Sequence, residues 1–316
     1  MILSCDIILL ERGVFMATIA IFNFYYFLYI FIALILTLLS VRLLKYKSDK
    51  FRFWFIFGLI MVNFAIHFLK ILIYPYTDTY FVEHKIVKIS LENICAVSVV
   101  TFPLLYFSKS KILKDYMVLV GLVSGMLTLF YPVDTFSTTF NAVSVEGVYV
   151  KTAFQLETIR FYLTHFLLFL TPFLILHYKI HQLSVKRAGY MPFVFMGTLL
   201  IIYINELILS GFGLVPQGIS MYNPDGRNPS LIFGVKNLDT LVGIGKYIKV
   251  LVPDFLTVNP VTGETFYWPV LWMFFPVLVN TSLMAIFINY IYDKETTKDF
   301  VLEKLHFKKV KDESRV

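Results

Sequence analysis

Residues 17–41 read ATIAIFNFYYFLYIFIALILTLLSV, and no charged residue occurs between Gly13 and Val41. A helix needs about 20 apolar residues to cross a hydrocarbon core about 30 Å thick. Six further stretches reach or approach that length, at 53–74, 86–107, 113–133, 158–178, 191–209 and 267–292. Backbone polar groups in lipid must be satisfied within their own segment, and these stretches lack the alternation of barrel strands. We therefore predict an all-α membrane protein with seven transmembrane helices.

The composition of the whole chain agrees with a membrane protein. Of its 316 residues, 58% are hydrophobic and only 16% are charged, whereas soluble domains carry about 25% charged residues. Two cysteines in a chain of this length do not provide a disulfide framework. The composition excludes a soluble globular domain, a disordered chain and a disulfide-rich secreted fold.

The basic residues indicate an orientation in the membrane. Eighteen of the 28 lie in the connections after the first, third and fifth predicted helices and in the tail after the seventh. Lysine and arginine are enriched in cytoplasmic loops, so we expect these regions in the cytoplasm and the N-terminus outside. The net charge of +7 is then mostly an orientation signal, and we expect no nucleic-acid partner. The predicted location is the plasma membrane, in a multi-pass arrangement.

Three regions follow from these boundaries. Residues 1–16 form an N-terminal extension, and Met16 is an alternative start to Met1. Residues 17–292 form the seven-helix transmembrane domain, including an outer loop at 210–266. In that loop a turn-rich segment at 223–229 precedes an amphipathic segment at 238–252, typical of a helix lying at the membrane surface. The loop is either a cap over the outer mouth of the bundle or a connector. Residues 293–316 form a charged cytoplasmic tail.

Close helix packing is predicted in the fourth helix. Gly121 and Gly125 form a small-xxx-small pair, which usually marks the near approach of a neighbouring helix. No internal repeat is visible, which disfavours transporters built from two matched halves.

The polar residues inside the predicted helices share one depth. Each is expensive in hydrocarbon and therefore tends to face the bundle interior or water. On the predicted topology most of them fall in the outer halves of their helices, and we predict that His67, Glu92, Asn93, Arg160, His165, Asn205 and Glu206 line one outer pocket. Alternatives remain open: Lys88–Glu92 and Glu157–Arg160 have the spacing of local salt bridges, and His67 and Lys70 can extend to the membrane surface.

Several function classes are compatible with such a pocket. A small-solute or proton-coupled transporter would use His67, Glu92, His165 and Glu206 as titrating groups. In a non-catalytic lipid-binding or scaffold protein the same residues would form a satisfied internal network. We expect no metal site, because His67, Cys95 and His165 lie on three helices without clustered ligand spacing. No cofactor is expected either, since nucleotide-binding and nucleophile-elbow motifs are missing from the sequence.

Three short motifs carry a family resemblance. They are ENICAVS at 92–98, YPVD at 131–134 and RFYLTH at 160–165, with Asn205 and Trp268-Pro269 further on. In this pattern the chain resembles the YwaF-like integral membrane proteins, the bacterial relatives of transmembrane protein 164. Two departures stand out: Asn93 replaces a motif histidine, and the outer loop is longer, around 235–262.

The resemblance implies a chemistry. Eukaryotic members are acyltransferases that move fatty acyl chains onto ether phospholipids, with the motif cysteine as the proposed acyl acceptor and the later histidine as its partner. In this chain these residues are Cys95 and His165. We therefore predict a membrane-bound acyltransferase with a phospholipid substrate, in which the remaining pocket residues bind the lipid. An imidazole can take the proton of a thiol, and the resulting thiolate is a competent nucleophile toward an ester.

Overall fold

The computed structural model describes residues 7–9, 15–17, 19–73, 76–77, 82–132, 143–145, 148–150, 152–235 and 244–304. The chain is predominantly helical, as predicted. The α-helices are α1 (Phe24–Leu44), α2 (Asp49–Leu69), α3 (Val82–Ile89), α4 (Ile94–Phe107), α5 (Lys111–Phe130), α6 (Leu156–His177), α7 (Met191–Gly211), α8 (Ile244–Leu251), α9 (Phe274–Tyr292) and α10 (Lys294–Lys304). Two short antiparallel strand pairs accompany them: β1 (Ile7–Leu9) with β2 (Phe15–Ala17), and β3 (Val143–Val145) with β4 (Val148–Val150).

Six helical segments of the described chain are long and apolar enough to cross a membrane. They are Phe24–Leu44, Asp49–Leu72, Lys111–Phe130, Leu156–His177, Val185–Gly211 and Leu271–Tyr292. The second, fifth and sixth include short 3₁₀ turns at Lys70–Leu72, Val185–Tyr190 and Leu271–Met273. Six of the seven predicted spans thus correspond to suitable helices, and the predicted orientation of the two termini stays a prediction.

The third predicted span, at 86–107, differs from the prediction. Instead of one helix, the structure has α3, a non-helical segment from Ser90 to Asn93, and then α4 with 14 residues. At 1.5 Å per residue α4 is about 21 Å long, which is shorter than the hydrocarbon core. A membrane-spanning helix at 86–107, which would bring the total to seven, is therefore not confirmed. The interruption falls where the sequence places Glu92 and Asn93 in succession.

Helices α5 and α6 form the centre of the bundle. An added Cβ at Gly121 would lie 2.8 Å from the Leu168 carbonyl oxygen, and one at Gly125 would lie 2.7 Å from the Phe169 backbone nitrogen. The backbones thus approach too closely for any side chain, which confirms the predicted role of the glycine pair. Gly125 also faces the backbone of His165, at 2.9 Å from the built Cβ to its oxygen, so this packing positions a predicted site residue.

Replacing Gly125 by alanine should destabilise the bundle by about 1–3 kcal/mol, because the new methyl group collides with backbone atoms that can move only with α6. The measurement is the thermal unfolding midpoint of purified protein in detergent. Gly58→Ala is the matched control, since Gly58 lies in α2 with no atom within 4 Å of its built Cβ. Equal midpoints for the two variants would contradict the close packing.

Helix α1 lies at the edge of the bundle. Most of its large apolar side chains are exposed, as expected for lipid-facing residues, whereas Tyr26 is buried and donates to the Phe130 carbonyl at 2.7 Å. The Tyr29 ring stacks on Tyr162 of α6 with 4.1 Å between ring centroids. Tyr26 and Tyr29 thus pack α1 against the rest of the bundle.

A buried charge also lies near the start of α5, at the predicted cytoplasmic end of the helix. The sequence placed most of the polar helix residues in the outer halves instead. Asp115 is 2% exposed and accepts from His181 at 2.5 Å and from Arg187 at 2.7 and 2.9 Å. These contacts tie the connection after α6 to α5. The sequence did not predict these two contacts, because His181 and Arg187 follow Asp115 by 66 and 72 residues. Spacing along one helix does not reveal partners so far apart.

The remaining predicted regions are described in part. Helix α8 lies inside the predicted amphipathic segment, whose residues 238–243 are outside the described residues, and α10 covers the start of the predicted tail up to Lys304. The strands β1 and β2 cover part of the N-terminal extension. The first part of the outer loop packs on the helices: Ile232 and Phe233 are buried with Leu199, Ile202 and Val277. Ile232 and Phe233 thus attach this part of the loop to the helices, and its role as a cap stays a prediction.

Candidate functional site

The interruption between α3 and α4 is the centre of the candidate site. Asn93 is the N-cap of α4, and its side-chain oxygen accepts from the Ala96 backbone nitrogen at 2.9 Å. The Ile94 nitrogen donates to the Ser230 hydroxyl of the outer loop at 3.2 Å. Asparagine is among the best N-cap residues. The first turn of α4 therefore receives partners from its own cap and from a distant loop.

Asn205 of α7 holds the other side of the interruption. Its oxygen accepts from the Leu91 backbone nitrogen at 3.3 Å, and its amide nitrogen donates to the Ser90 hydroxyl at 3.1 Å. Non-helical backbone at membrane depth is tolerated only where protein or water supplies hydrogen-bond partners for its N–H and C=O groups. Asn205, on a neighbouring helix, supplies such a partner to the Leu91 nitrogen.

Two acidic residues meet at Arg227 of the outer loop. Glu206 of α7 is fully buried and accepts from the Arg227 guanidinium through both oxygens, each at 2.8 Å. The same guanidinium lies 3.5 Å from Glu92, which also lies 3.4 Å from Lys88. Burial by itself lowers the pKa of Arg227, but the hydrogen bonds and negative charge of Glu206 and Glu92 outweigh it and raise that pKa. The loop is therefore held to the bundle by the buried Glu206–Arg227 ion pair.

The backbone is strained where the loop meets α4. Ser230 and Leu231 have φ angles of 52° and 61°, a left-handed conformation that is uncommon for residues other than glycine. Such conformations persist only where surrounding contacts enforce them, and they cluster at functional sites. Here the Ser230 hydroxyl contacts Ile94, and the Leu231 carbonyl accepts from the Trp272 indole at 3.0 Å.

A second buried ion pair lies at the start of α6. Glu157 is 2% exposed and accepts from two of the three guanidinium nitrogens of Arg160, Nε at 2.5 Å and Nη2. The Tyr76 hydroxyl donates to Glu157 at 3.0 Å. Burial and the neighbouring Glu157 charge raise the pKa of Tyr76 well above its ordinary value, so this hydroxyl keeps its proton. The predicted local salt bridge between Glu157 and Arg160 is present. The Tyr76 hydroxyl adds a hydrogen bond from a distant part of the chain.

Each of the two predicted site histidines contacts a backbone carbonyl. The His67 Nε2 atom lies 3.0 Å from the Ile89 oxygen, at the end of α3, and the His165 Nδ1 atom lies 2.8 Å from the Phe161 oxygen. Because a carbonyl oxygen only accepts, each contact assigns a proton to that ring nitrogen. In the neutral ring of His165 the lone pair is then on Nε2.

Cys95 is the second residue of α4 and lies half-buried against the central apolar cluster. That cluster also contains Phe161, Tyr162 and Phe166, the neighbours of His165 in α6. The phenol of Tyr116 is within electrostatic range of the thiol. Contact between Cys95 and His165 themselves stays a prediction.

Several buried polar atoms near these residues have no hydrogen-bond partner in the described part of the chain. They include Asn63 Oδ1 of α2, Ser98 Oγ of α4 and Thr164 Oγ1 of α6. The Asn63 amide nitrogen donates to the Thr164 carbonyl at 3.2 Å. Ser98 is three residues after Cys95, and Thr164 directly precedes His165. Since buried polar atoms are nearly always paired, such exceptions call for an explanation, and a polar ligand or water beside the candidate site is a direct one.

The comparison with protein families gives a match to the model of the TMEM164 family over residues 15–215, nearly two thirds of the chain. The chain belongs to the TMEM164 family. The matched region contains the motifs at 92–98, 131–134 and 160–165 and ends before the predicted Trp268-Pro269 element. The chain matches no curated protein and no solved structure.

The structure gives this TMEM164 family member a connected arrangement of most predicted site residues. Glu92, Asn93, Asn205 and Glu206 surround the interruption before α4, and His67 contacts its edge at Ile89. Arg160 belongs to the second ion pair, and His165 contacts its own helix. The roles of these residues in substrate binding, and their lining of an open pocket, stay predictions.

Arg227 and Lys70 were not among the predicted site residues. The signal for Arg227 was available: Glu206 has no basic residue within four positions on its own helix, so a buried carboxylate there requires a cation from elsewhere. The sequence could not say which one. In the described part of the chain, no group of three or more His, Cys, Asp or Glu residues has an arrangement that could hold a metal ion.

Proposed function

We propose that this TMEM164 family protein is a membrane acyltransferase in which Cys95 accepts an acyl group from a phospholipid, with His165 as the general base. The observation that carries the proposal is the position of Cys95 at the second residue of α4. A helix N-terminus attracts negative charge, and the thiolate is the nucleophilic form of cysteine.

The orientation of His165 supports its proposed role. Its Nδ1–H donates to the Phe161 carbonyl, which leaves the Nε2 lone pair available to accept a proton. No partner occupies Nε2 within the residues that the structure describes. Fixing one tautomer through a backbone carbonyl is the arrangement that a general base requires.

The chemistry balances in two steps. His165 Nε2 takes the thiol proton, the Cys95 sulfur attacks the ester carbonyl, the ester C–O bond breaks, and the leaving alcohol receives the proton from His165. A second alcohol, or water, then attacks the thioester while His165 accepts its proton. The C–S bond breaks, and the thiolate takes the proton back. The acyl group is thus passed to another lipid or released as a fatty acid.

The charge of Glu92 does not oppose this chemistry. An unpaired carboxylate three residues before Cys95 would disfavour a thiolate on the same helix face. Glu92 instead lies 3.4 Å from Lys88 and 3.5 Å from Arg227. These two cations offset its charge, and Arg160 pairs with Glu157 instead.

The proposal is tested by lipidomics of cells that express wild type, Cys95→Ala or Cys5→Ala at equal protein levels. Wild type and Cys5→Ala should change the acyl composition of at least one phospholipid class, and purified protein should carry an acyl group that hydroxylamine removes. Cys95→Ala should lose both. Cys5→Ala is the matched control because these are the two cysteines of the chain. An unchanged lipid profile in cells with wild type, together with unacylated protein, would overturn the proposal.

A transporter is the second candidate function, and the interrupted helix favours it. Transporters often build substrate sites from discontinuous helices whose ends point at the ligand, as the α3–α4 interruption could do. Proteoliposomes containing wild-type protein would distinguish the two: uptake of a solute that survives Cys95→Ala favours transport over acyl transfer.

A further inference from the structure

Lys70 is a buried cation that the proposed reaction does not use. It is the first residue of the 3₁₀ turn after α2, and its exposed fraction is only 7%. Among the described residues, no hydrogen bond or ion pair reaches its ammonium group. Burying an unpaired charge costs several kcal/mol (order of magnitude), so Lys70 is a costly group to retain without a partner among the described residues.

The acidic residues near Lys70 are already occupied. Lys70 lies within electrostatic range of Glu92 and Glu157 and of the cations Lys88 and Arg160. Glu157 is bound by Arg160, and Glu92 is contacted by Lys88 and Arg227, as described above. Among the residues that the structure describes, positive charge is therefore in excess around Lys70, beside the buried cation Arg160.

We propose that Lys70 is the main contact of a subsite for a phosphate oxyanion, supplied by the headgroup of the lipid substrate. The assignment of this phosphate to a lipid substrate rests on the proposed acyltransferase function. An ammonium group offers three donors to phosphate oxygens. Lys70 follows His67 by three residues, one helical turn further toward the end of α2. In a phospholipid the ester carbonyls lie deeper than the phosphate, so an anchored phosphate would direct an ester group toward the interior of the bundle.

Native mass spectrometry of the purified full-length protein tests the subsite. The probes are dioleoylphosphatidylglycerol, dioleoylglycerol, which has the same tails without phosphate, and inorganic phosphate. Wild type should bind phosphatidylglycerol about tenfold or more tightly than dioleoylglycerol, as expected for a charge-assisted contact. Lys70→Met should lose that preference, and Lys70→Arg should retain part of it.

Lys85→Met is the matched control, because Lys85 is a half-buried lysine of the nearby helix α3, and it should keep the full preference. Binding of inorganic phosphate that depends on Lys70, without a preference between the two lipids, would assign the subsite to a free anion and overturn the headgroup source. Equal preference in wild type and Lys70→Met overturns the subsite altogether. If Lys70→Met does not fold, Lys70→Gln replaces it.

These binding measurements need no turnover, so the two proposals can fail separately. A Lys70-dependent phosphatidylglycerol preference in protein that never becomes acylated keeps the subsite and removes the acyltransferase. Acylated wild type without any phosphate preference keeps the enzyme and removes the subsite.

Discussion

His165→Ala should slow the transfer of an acyl group onto Cys95 by a factor of about 10²–10⁴, the range expected when a general base is removed. In the structure the ring is oriented by one hydrogen bond from Nδ1 to the Phe161 carbonyl, and alanine removes both the base and its orientation. The rate is measured by mixing purified protein with phospholipid and following the mass of the intact protein over a single turnover.

His177→Ala is the control for this variant, because His177 is an exposed histidine at the last residue of α6. It should acylate at the wild-type rate. His165→Asn separates geometry from chemistry: its amide can donate to Phe161 but cannot act as a base, so it should be as slow as His165→Ala. Acylation of both His165 variants at the wild-type rate would remove the imidazole from the mechanism.

Arg227→Ala should destabilise the protein by about 3–5 kcal/mol, the cost of leaving one member of a buried ion pair without its partner. Glu206 is 0% exposed and makes two 2.8 Å contacts with Arg227, so its buried carboxylate loses both contacts when the guanidinium is removed. The effect is measured as the loss of thermal stability in detergent. The double variant Arg227→Met with Glu206→Gln should recover most of the loss, because it removes both charges.

Asp49→Ala is the comparison for this prediction. The Asp49–Arg52 pair has a 2.8 Å contact, but the Asp49 side chain is 93% exposed, and surface pairs contribute about 0–1 kcal/mol. Its stability should therefore stay close to wild type. If Arg227→Ala were no less stable than Asp49→Ala, the outer loop would not be held to the bundle by this pair.

The helices could be predicted from sequence because the signal is local. An apolar run such as 17–41 satisfies its backbone internally whatever surrounds it, and α1 (Phe24–Leu44) accordingly covers most of that run. The glycine pair at Gly121 and Gly125 was also readable, since a missing side chain permits close approach by itself.

The interruption before α4 could not be predicted in the same way. Glu92 and Asn93 are visible in the sequence, yet polar residues also occur inside continuous membrane helices. Whether the helix stops depends on which residues form hydrogen bonds with the backbone N–H and C=O groups that the interruption leaves without helical partners. That answer comes from Asn205, more than a hundred residues later, and from Ser230 of the outer loop.

By itself, the sequence determined the membrane class, the positions of most helices and which side chains are too costly to face lipid, because these depend on composition along one segment. Only the tertiary structure decided the partners of those side chains. Glu206 pairs with Arg227 of a loop, Glu157 with Arg160 and Tyr76, and Lys70 with no described residue. An ion pair requires charged atoms within about 4 Å, and that distance depends on how helices rotate and where loops pass, which hydropathy and spacing do not specify.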